Sequence, residues 1–75
     1  MLRFLVVVEA AGDGYAASAP DLPGCFANGA SLDETRRNMQ RAIEVHLASL
    51  RSHNRPIPDS SSFAVIVEVA VSSAD

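Results

Sequence analysis

The hydrophobic pattern begins with residues 2–9, a run dominated by branched aliphatic side chains. Such side chains suit a pleated strand, and Gly12 and Gly14 behind them supply the positive φ that tight turns require. The pattern therefore predicts a hairpin whose return strand lies at residues 15–19. A short third strand is predicted at residues 25–27.

The clearest periodicity predicts a helix over residues 32–52. Ser31 and Glu34 fit a capping box, in which the serine accepts from an orphan backbone N–H and the glutamate reaches back. Apolar residues then recur at three- and four-residue spacing, as expected for one buried helix face. They are Leu32, Met39, Ile43, Leu47 and Leu50, with His46 on the same stripe. Asn54 and Pro56 are expected to end the helix.

Residues 63–71 are the strongest strand candidate of the chain. Phe63, Val65, Val67 and Val69 alternate along one side, and the other side is also largely apolar. A strand with two apolar sides is a poor solvent-facing edge, and one helix covers only one face of a sheet. We therefore expect these four residues to meet a second subunit, in a dimer or a tetramer. The last residues, 72–75, are expected to fray.

The predicted order is β-β-β-α-β. It describes an α+β fold, with one antiparallel-rich sheet and one helix on one face. The chain has 75 residues, which is room for one domain over residues 1–75. A domain of this size is marginally stable alone. Cys25 is the only cysteine, so no internal disulfide can form, and self-association remains the expected source of extra stability.

The charge balance excludes one class of function. The formal net charge is −3, and all six basic residues are arginine. Such a charge balance provides no extended basic surface for binding the phosphate backbone of a nucleic acid. The apolar run at residues 2–8 is too short for a membrane helix, which needs about 20 apolar residues. We expect a cytoplasmic protein without a membrane segment.

Two sets of side chains are candidates for chemistry. Three carboxylates, at Glu9, Asp21 and Glu34, are the kind of set that binds magnesium in a nuclease, but their spacing follows no supporting pattern. Cys25 with the two histidines, His46 and His53, does not have the spacing of a closed zinc site or of a recognisable thiol nucleophile and base. We expect no catalytic residue, no metal and no cofactor.

One segment carries a resemblance to a known family. A proline-rich stretch with sequence PDLPGC is followed by a glycine and then by a Ser-x-x-Glu helix start. The residues concerned are Pro20, Asp21, Leu22, Pro23, Gly24, Cys25, Gly29, Ser31 and Glu34. This succession resembles the HicB antitoxin family, and the resemblance covers nearly the whole chain. We expect the PDLPGC residues to determine the fold rather than to contact a partner.

The resemblance implies a partial ribonuclease-H-like fold without nuclease chemistry. It also implies a partner, a small HicA-type toxin that cleaves mRNA. A toxin that cleaves RNA must present a basic surface, and an acidic partner meets such a surface faster. The acidic candidates for toxin contact are Glu9, Asp13, Asp33 and Glu34. Many HicB-type proteins carry a C-terminal DNA-binding domain, but this chain stops after the last predicted strand, so we expect no direct DNA binding.

Two other interpretations remain open. One is an orphan relative that assembles with itself, has no toxin, and keeps a regulatory or ligand-sensing role. The other is a metal-dependent nuclease that uses the carboxylates named above.

Overall fold

The computed structural model describes residues 2–72. Its elements are β1 (Val7–Ala11), β2 (Gly14–Ser18), β3 (Phe26–Gly29) and α1 (Leu32–Ser52). The strands form one antiparallel sheet in the order β1-β2-β3, and α1 packs mainly on β3 and β2. The predicted α+β class and the single helix on one face are confirmed.

The register of the strands gives the sheet two distinct ends. Ala11 faces Gly14 across the β1–β2 turn, and Tyr15 faces Gly29 on β3. We call this the hairpin end. At the other end Ser18 lies between its partners Val7 and Phe26. We call this the motif end, because the PDLPGC turn follows it.

The PDLPGC turn folds back on itself within six residues. The Leu22 amide donates to the Ala19 carbonyl at 3.0 Å, and the Cys25 amide donates to the Leu22 carbonyl at 3.0 Å. Gly24 has a φ of +82°, a left-handed conformation that glycine adopts without steric cost. Leu22 is completely buried at the centre of the turn. The segment therefore redirects the chain from β2 to β3 and inserts one large side chain into the core.

The core is small and lies between the helix and the middle of the sheet. Its buried apolar residues are Ala17, Ala19, Leu22, Cys25 and Met39. Ala17 of β2 and Ala19 just after it leave room for Met39 of the helix, because a short side chain on one element lets the other approach closely. The helix approaches β3 even more closely at Gly29, where an added Cβ would lie 2.6 Å from the backbone nitrogen of Thr35.

The helix runs over the residues that the sequence predicts, with caps at both ends. The Ser31 hydroxyl accepts from the Glu34 amide at 3.1 Å, and Glu34 accepts from the Ala30 amide at 3.0 Å. At the C-terminus Asn54 has a φ of 57°, and the Arg55 amide donates to the Leu50 carbonyl at 2.8 Å. This is a Schellman-type ending, in which asparagine takes the left-handed position.

The predicted fourth strand is not formed, and this expectation was wrong for the single chain. Residues 63–71 pair with no strand within the described range 2–72, and Ile66 is 94% exposed. The first strand is also shorter than predicted, because residues 2–6 are unpaired. In the register of the hairpin these residues would face the PDLPGC turn, where Pro20 has no N–H to donate. The described elements are β-β-β-α, and the ribonuclease-H-like arrangement is not confirmed.

The segment after the helix is anchored by one carboxylate at the motif end. The amides of Ser61 and Ser62 both donate to Oδ2 of Asp21 at 3.0 Å. Their hydroxyls donate to Oδ1, at 3.2 Å and 2.8 Å respectively. These hydrogen bonds, the Ser62 hydroxyl first, hold the pKa of Asp21 below its ordinary value of 3.8.

Beyond this anchor the chain leaves the body of the protein. The Cα radius of gyration is 15.9 Å, whereas a compact chain of this length would have about 11 Å. The molecule measures 58 × 29 × 20 Å. Residues 73–75, part of the tail that is expected to fray, lie outside the described residues.

Substitution of Gly29 by alanine tests the close approach of β3 and the helix. The added methyl group would meet Thr35 backbone atoms at less than 3 Å, so the free energy of unfolding should fall by about 1–3 kcal/mol. Urea unfolding followed by circular dichroism measures the change. The control is Asn28→Ala, which removes an exposed neighbouring side chain and should change stability by less than about 0.5 kcal/mol. Equal stability of the two variants would contradict the contact.

Acid should release the anchor at Asp21. A carboxylate whose pKa is lowered by hydrogen bonds contributes its interaction above the ordinary pKa and loses it as the pH falls through the lower, folded value. The amide signals of Ser61 and Ser62 should therefore shift, and their hydrogen exchange should accelerate relative to the intrinsic rate, below pH 3.8. In Asp21→Asn the same amides should show no such transition. A transition that persists in this variant would assign the effect to another group.

Candidate partner-binding surfaces

An open apolar groove lies between the N-terminal residues and the helix. We call it the helix groove. Its volume is about 690 Å³. One wall is formed by four alternating residues of the N-terminal segment: Leu2, Phe4, Val6 and Val8. The helix forms the other wall with the apolar residues Leu32, Met39, Ile43 and Leu47 and the polar residues Arg36, Gln40 and Glu44. Leu2 is 62% exposed, so the groove reaches solvent at that end. The alternation shows that residues 2–8 run extended along the helix.

The second apolar surface is the unpaired segment of residues 63–71, which we call the C-terminal arm. The four candidates for self-association lie on it. They are 85% (Phe63), 77% (Val65), 73% (Val67) and 76% (Val69) exposed. A single exposed valine is ordinary, but a continuous apolar segment of this length marks an interaction surface. The arm also leaves backbone donors and acceptors available for pairing.

Three of the four acidic candidates for toxin contact lie at the hairpin end, and the fourth lies on the strand that leads to it. Asp13 lies in the β1–β2 turn, and Glu9 lies in the middle of β1. Asp33 and Glu34 lie in the first turn of the helix. This turn is brought to the hairpin end by the contact of Gly14 with residues 29 and 30.

The four carboxylates differ in how far their charge is already engaged. Asp33 forms ion pairs with Arg36, at 3.3 Å, and with Arg37. Glu34 is held by the Ala30 amide. Glu9 and Asp13 are exposed and take part in neither of the two ion pairs found among residues 2–72. The free negative charge of this end therefore comes mainly from the hairpin.

The carboxylates weighed for a nuclease site are not brought together. Asp21 lies at the motif end, where both of its carboxylate oxygens accept hydrogen bonds from Ser61 and Ser62. Glu9 lies in the middle of β1, opposite Ala16 of β2, and Glu34 caps the helix at the hairpin end. Within the part of the chain that the structure describes, no group of three histidine, cysteine or acidic residues is arranged to hold a metal ion.

Cys25 and His46 line one shallow depression of about 570 Å³ beside β3. The thiol is 5% exposed, and burial raises its pKa, so it remains protonated and packs as a small apolar group. His53 lies at the helix C-terminus, where its Nδ1 is 2.8 Å from the Ser49 carbonyl oxygen. The arrangement therefore contains no activated nucleophile paired with a base.

Sequence reasoning missed the anchor and the helix groove. The anchor joins Asp21 to serines that lie 40 and 41 residues away, and no periodicity links such positions. A signal was available in the serine run at residues 60–62, since serine donors commonly satisfy a carboxylate. The groove depends on the tertiary arrangement of residues 2–8 against the helix.

The structure offers no membrane-spanning helix within residues 2–72, since α1 lacks the apolar length that a bilayer requires.

Comparison with known proteins identifies relatives in archaea and in a bacteriophage. The chain is 33% identical over 67 residues to a UPF0150 protein of Thermoplasma acidophilum, covering 88% of this chain and 97% of the relative. It is 40% identical over 47 residues to a UPF0150 protein of Archaeoglobus fulgidus, covering 61% of this chain and 68% of the relative.

A third relative is longer than this chain. It is a 14.9 kDa protein from the rep-hol intergenic region of Haemophilus phage HP1, 36% identical over 60 residues. The match covers 80% of this chain and 45% of the phage protein, so the chain spans less than half of the phage protein's length. No solved structure matches the chain.

The family assignment follows from a match that includes every described element. The model of the HicB-like antitoxin of bacterial toxin–antitoxin systems matches residues 4–71. This range contains the PDLPGC turn, the three strands, the helix and the C-terminal arm. The chain belongs to the HicB-like antitoxin family.

Proposed function

We propose that this chain is an antitoxin that binds and neutralises a small HicA-type toxin that cleaves mRNA. The observation that carries the proposal is the family match over residues 4–71. The surfaces support a binding role, because the described residues provide an open groove, an exposed apolar arm and a patch of free negative charge. We propose no catalytic role, since the candidate carboxylates are separated and the one thiol is buried.

The hairpin end is the proposed contact for the toxin. A ribonuclease needs positive charge to hold a phosphate backbone, and this chain carries a net charge of −3. Complementary charge accelerates association and discriminates against other partners. Glu9 and Asp13 should contribute most to the attraction, because Asp33 is already neutralised by two arginines. Asp33 and Glu34 then border the contact, where they also stabilise the helix start.

We further propose that the antitoxin acts in the cytoplasm as a homo-oligomer, a dimer or a tetramer. The exposed arm supports self-association, because an apolar strand with unpaired backbone groups is unfavourable in water. Direct DNA binding by these residues is not proposed, since a net negative charge opposes contact with phosphates. The PDLPGC residues serve the fold in this proposal, because Leu22 fills the core and Asp21 holds the arm.

The alternative function is an orphan domain that assembles with itself and has no toxin. The same arm favours it, because self-association through residues 63–71 needs no second protein. A regulatory or ligand-sensing role would then reside in the assembled form. The two functions differ in whether a basic partner accompanies the chain.

Affinity purification from the native host distinguishes them. A tagged chain should recover a small basic protein, identified by mass spectrometry. This protein should cleave RNA after separation under denaturing conditions and refolding, and adding the chain back should stop the cleavage. Recovery of the chain alone, with no cleaving activity in any eluted fraction, would reject the antitoxin function and leave the orphan domain.

Charge reversal at the hairpin end should slow association with the toxin. Glu9→Lys and Asp13→Lys should each lower the association rate constant by about 3- to 10-fold at low salt, and the difference should shrink as salt screens the charges. Stopped-flow or surface-plasmon measurements at two salt concentrations test this. Asp59→Lys is the matched control, because it makes the same change of charge on an exposed residue between the helix and the C-terminal arm and should have little effect. Equal slowing by all three variants would indicate a net-charge effect without a local contact.

A further inference from the structure

Two segments of this chain have strand character and lack strand partners. Residues 2–6 run extended beside the helix, but β2 has turned away at Pro20 and leaves them without a neighbour. The C-terminal arm is rich in β-branched residues and is exposed along its length. Each segment has the unpaired backbone groups that the other could bind.

The edge of the sheet beside residues 2–8 is the available one. The sheet has two edges, β1 and β3. At the β3 edge the helix side chain of Asn38 donates to the Asn28 carbonyl at 2.8 Å, so part of that edge is already occupied. On the β1 side the helix groove lies open next to the free edge. A strand added there would extend the sheet and cover the groove at the same time.

One face of the arm has the apolar side chains that the helix groove requires. Phe63, Val65, Val67, Val69 and Val71 share one face, which is the apolar face that an apolar groove requires. Facing the groove, these side chains would meet the walls formed by Phe4, Val6 and Ile43. Burial of such a row is the main source of free energy in strand addition.

The charges of the two segments are complementary and fall on the same side of the sheet. Arg3 is the only charged residue in residues 2–8, and Glu68 is the only one in the arm. Leu2, Phe4 and Val6 line the groove, so Arg3 points to the opposite face. Glu68 lies on the side of the arm opposite its apolar row. When the apolar row faces the groove, Glu68 therefore lies on the same face of the sheet as Arg3. Opposite charges on one face of paired strands stabilise the pairing.

The geometry favours an arm supplied by another molecule. The anchor at Asp21 fixes Ser61 and Ser62 at the motif end, and the arm leaves the body from there. An extended strand of nine residues spans roughly 30 Å, which accounts for about half of the 58 Å long axis. An arm that projects by this length reaches a neighbouring molecule, and a two-fold axis lets each copy supply what the other lacks.

We propose that two copies of this chain exchange their C-terminal arms, and that residues 63–71 of each copy add to the β1 edge of the other and close its helix groove. This inference deepens the proposed self-association by naming the donor, the acceptor and the symmetry of the contact. The groove of one copy is incomplete without the partner copy. Exchange also explains why a strand with two apolar sides is left unpaired within one chain.

A complementation experiment with the full chain tests the exchange. Val67→Lys damages the arm and leaves the groove intact, whereas Ile43→Lys damages the groove and leaves the arm intact. Each variant alone should be a folded monomer at micromolar concentration, by sedimentation and circular dichroism, while the unaltered chain is a dimer or a dimer of dimers. Mixed in equal amounts, the two variants should form a heterodimer, because one intact arm then meets one intact groove. Native mass spectrometry identifies it from the difference in mass.

Ala70→Lys is the matched control within the arm. It introduces the same charge on the face that points away from the groove, so the variant should remain associated. Dissociation of Ala70→Lys to the same extent as Val67→Lys would overturn the face assignment and with it the proposal. A folded pair of monomeric variants that forms no heterodimer would also overturn it, as would an unaltered chain that is monomeric.

Hydrogen exchange on the unaltered chain gives a second test that does not depend on any variant folding. The amides of residues 2–6 and 63–71 should become protected together as the protein concentration rises through the dimerisation range. Protection of both segments at a concentration where sedimentation shows only monomer would mean that the arm closes on its own chain, and no protection in either segment would mean that it does not pair; either result overturns the exchange. Toxin capture and arm exchange are read out separately, so the failure of one leaves the other standing.

Discussion

Leu22 is completely buried, and the carboxylate beside it binds two serines about forty residues along the chain. The turn that holds both residues sets the layout of the whole molecule. It ends the pairing of β2, directs the chain into β3 and leaves residues 2–6 without a neighbour. The same turn fixes the start of the C-terminal arm. The turn therefore affects both segments that are unpaired in the single chain. Its path, held by the buried Leu22 side chain, leaves residues 2–6 without a neighbour, and its Asp21 carboxylate, which accepts four hydrogen bonds, fixes the start of the arm.

The size of the core explains why the rest of the chain is exposed. Among the described residues only five apolar side chains are buried, because the small residues Ala17 and Ala19 and a single helix enclose little volume. A domain this small gains limited free energy from its own interior. The large aliphatic side chains are concentrated in the N-terminal segment, the outer helix face and the arm. These side chains are exposed or only partly buried in the single chain, so the proposed arm exchange would couple association to stability.

The molecule separates its electrostatic and apolar surfaces. Free negative charge is concentrated at the hairpin end, whereas the groove and the arm offer apolar contact along the β1 edge and beyond the motif end. Charge acts at long range and controls the rate of encounter, while apolar burial acts at contact and controls dissociation. The two kinds of surface lie on different parts of the molecule, so the proposed self-association through the arm would leave the acidic end accessible to a partner.

Local interactions were determined by the sequence alone. The helix begins and ends at the residues that its capping serine and its Asn54 predict, because caps and periodicity act within a few residues. The hairpin follows from its glycines, and the family resemblance follows from the contiguous PDLPGC segment. Only the tertiary structure shows that residues 2–6 and 63–71 have no strand partner among the described residues. Strand propensity indicates that a segment can pair, but pairing needs a neighbour at hydrogen-bond distance. For residues 2–6 the turn at Pro20 removes that neighbour. The position of Asp21 opposite Ser61 and Ser62, and the gathering of carboxylates at one end, likewise depend on contacts between residues far apart in the chain.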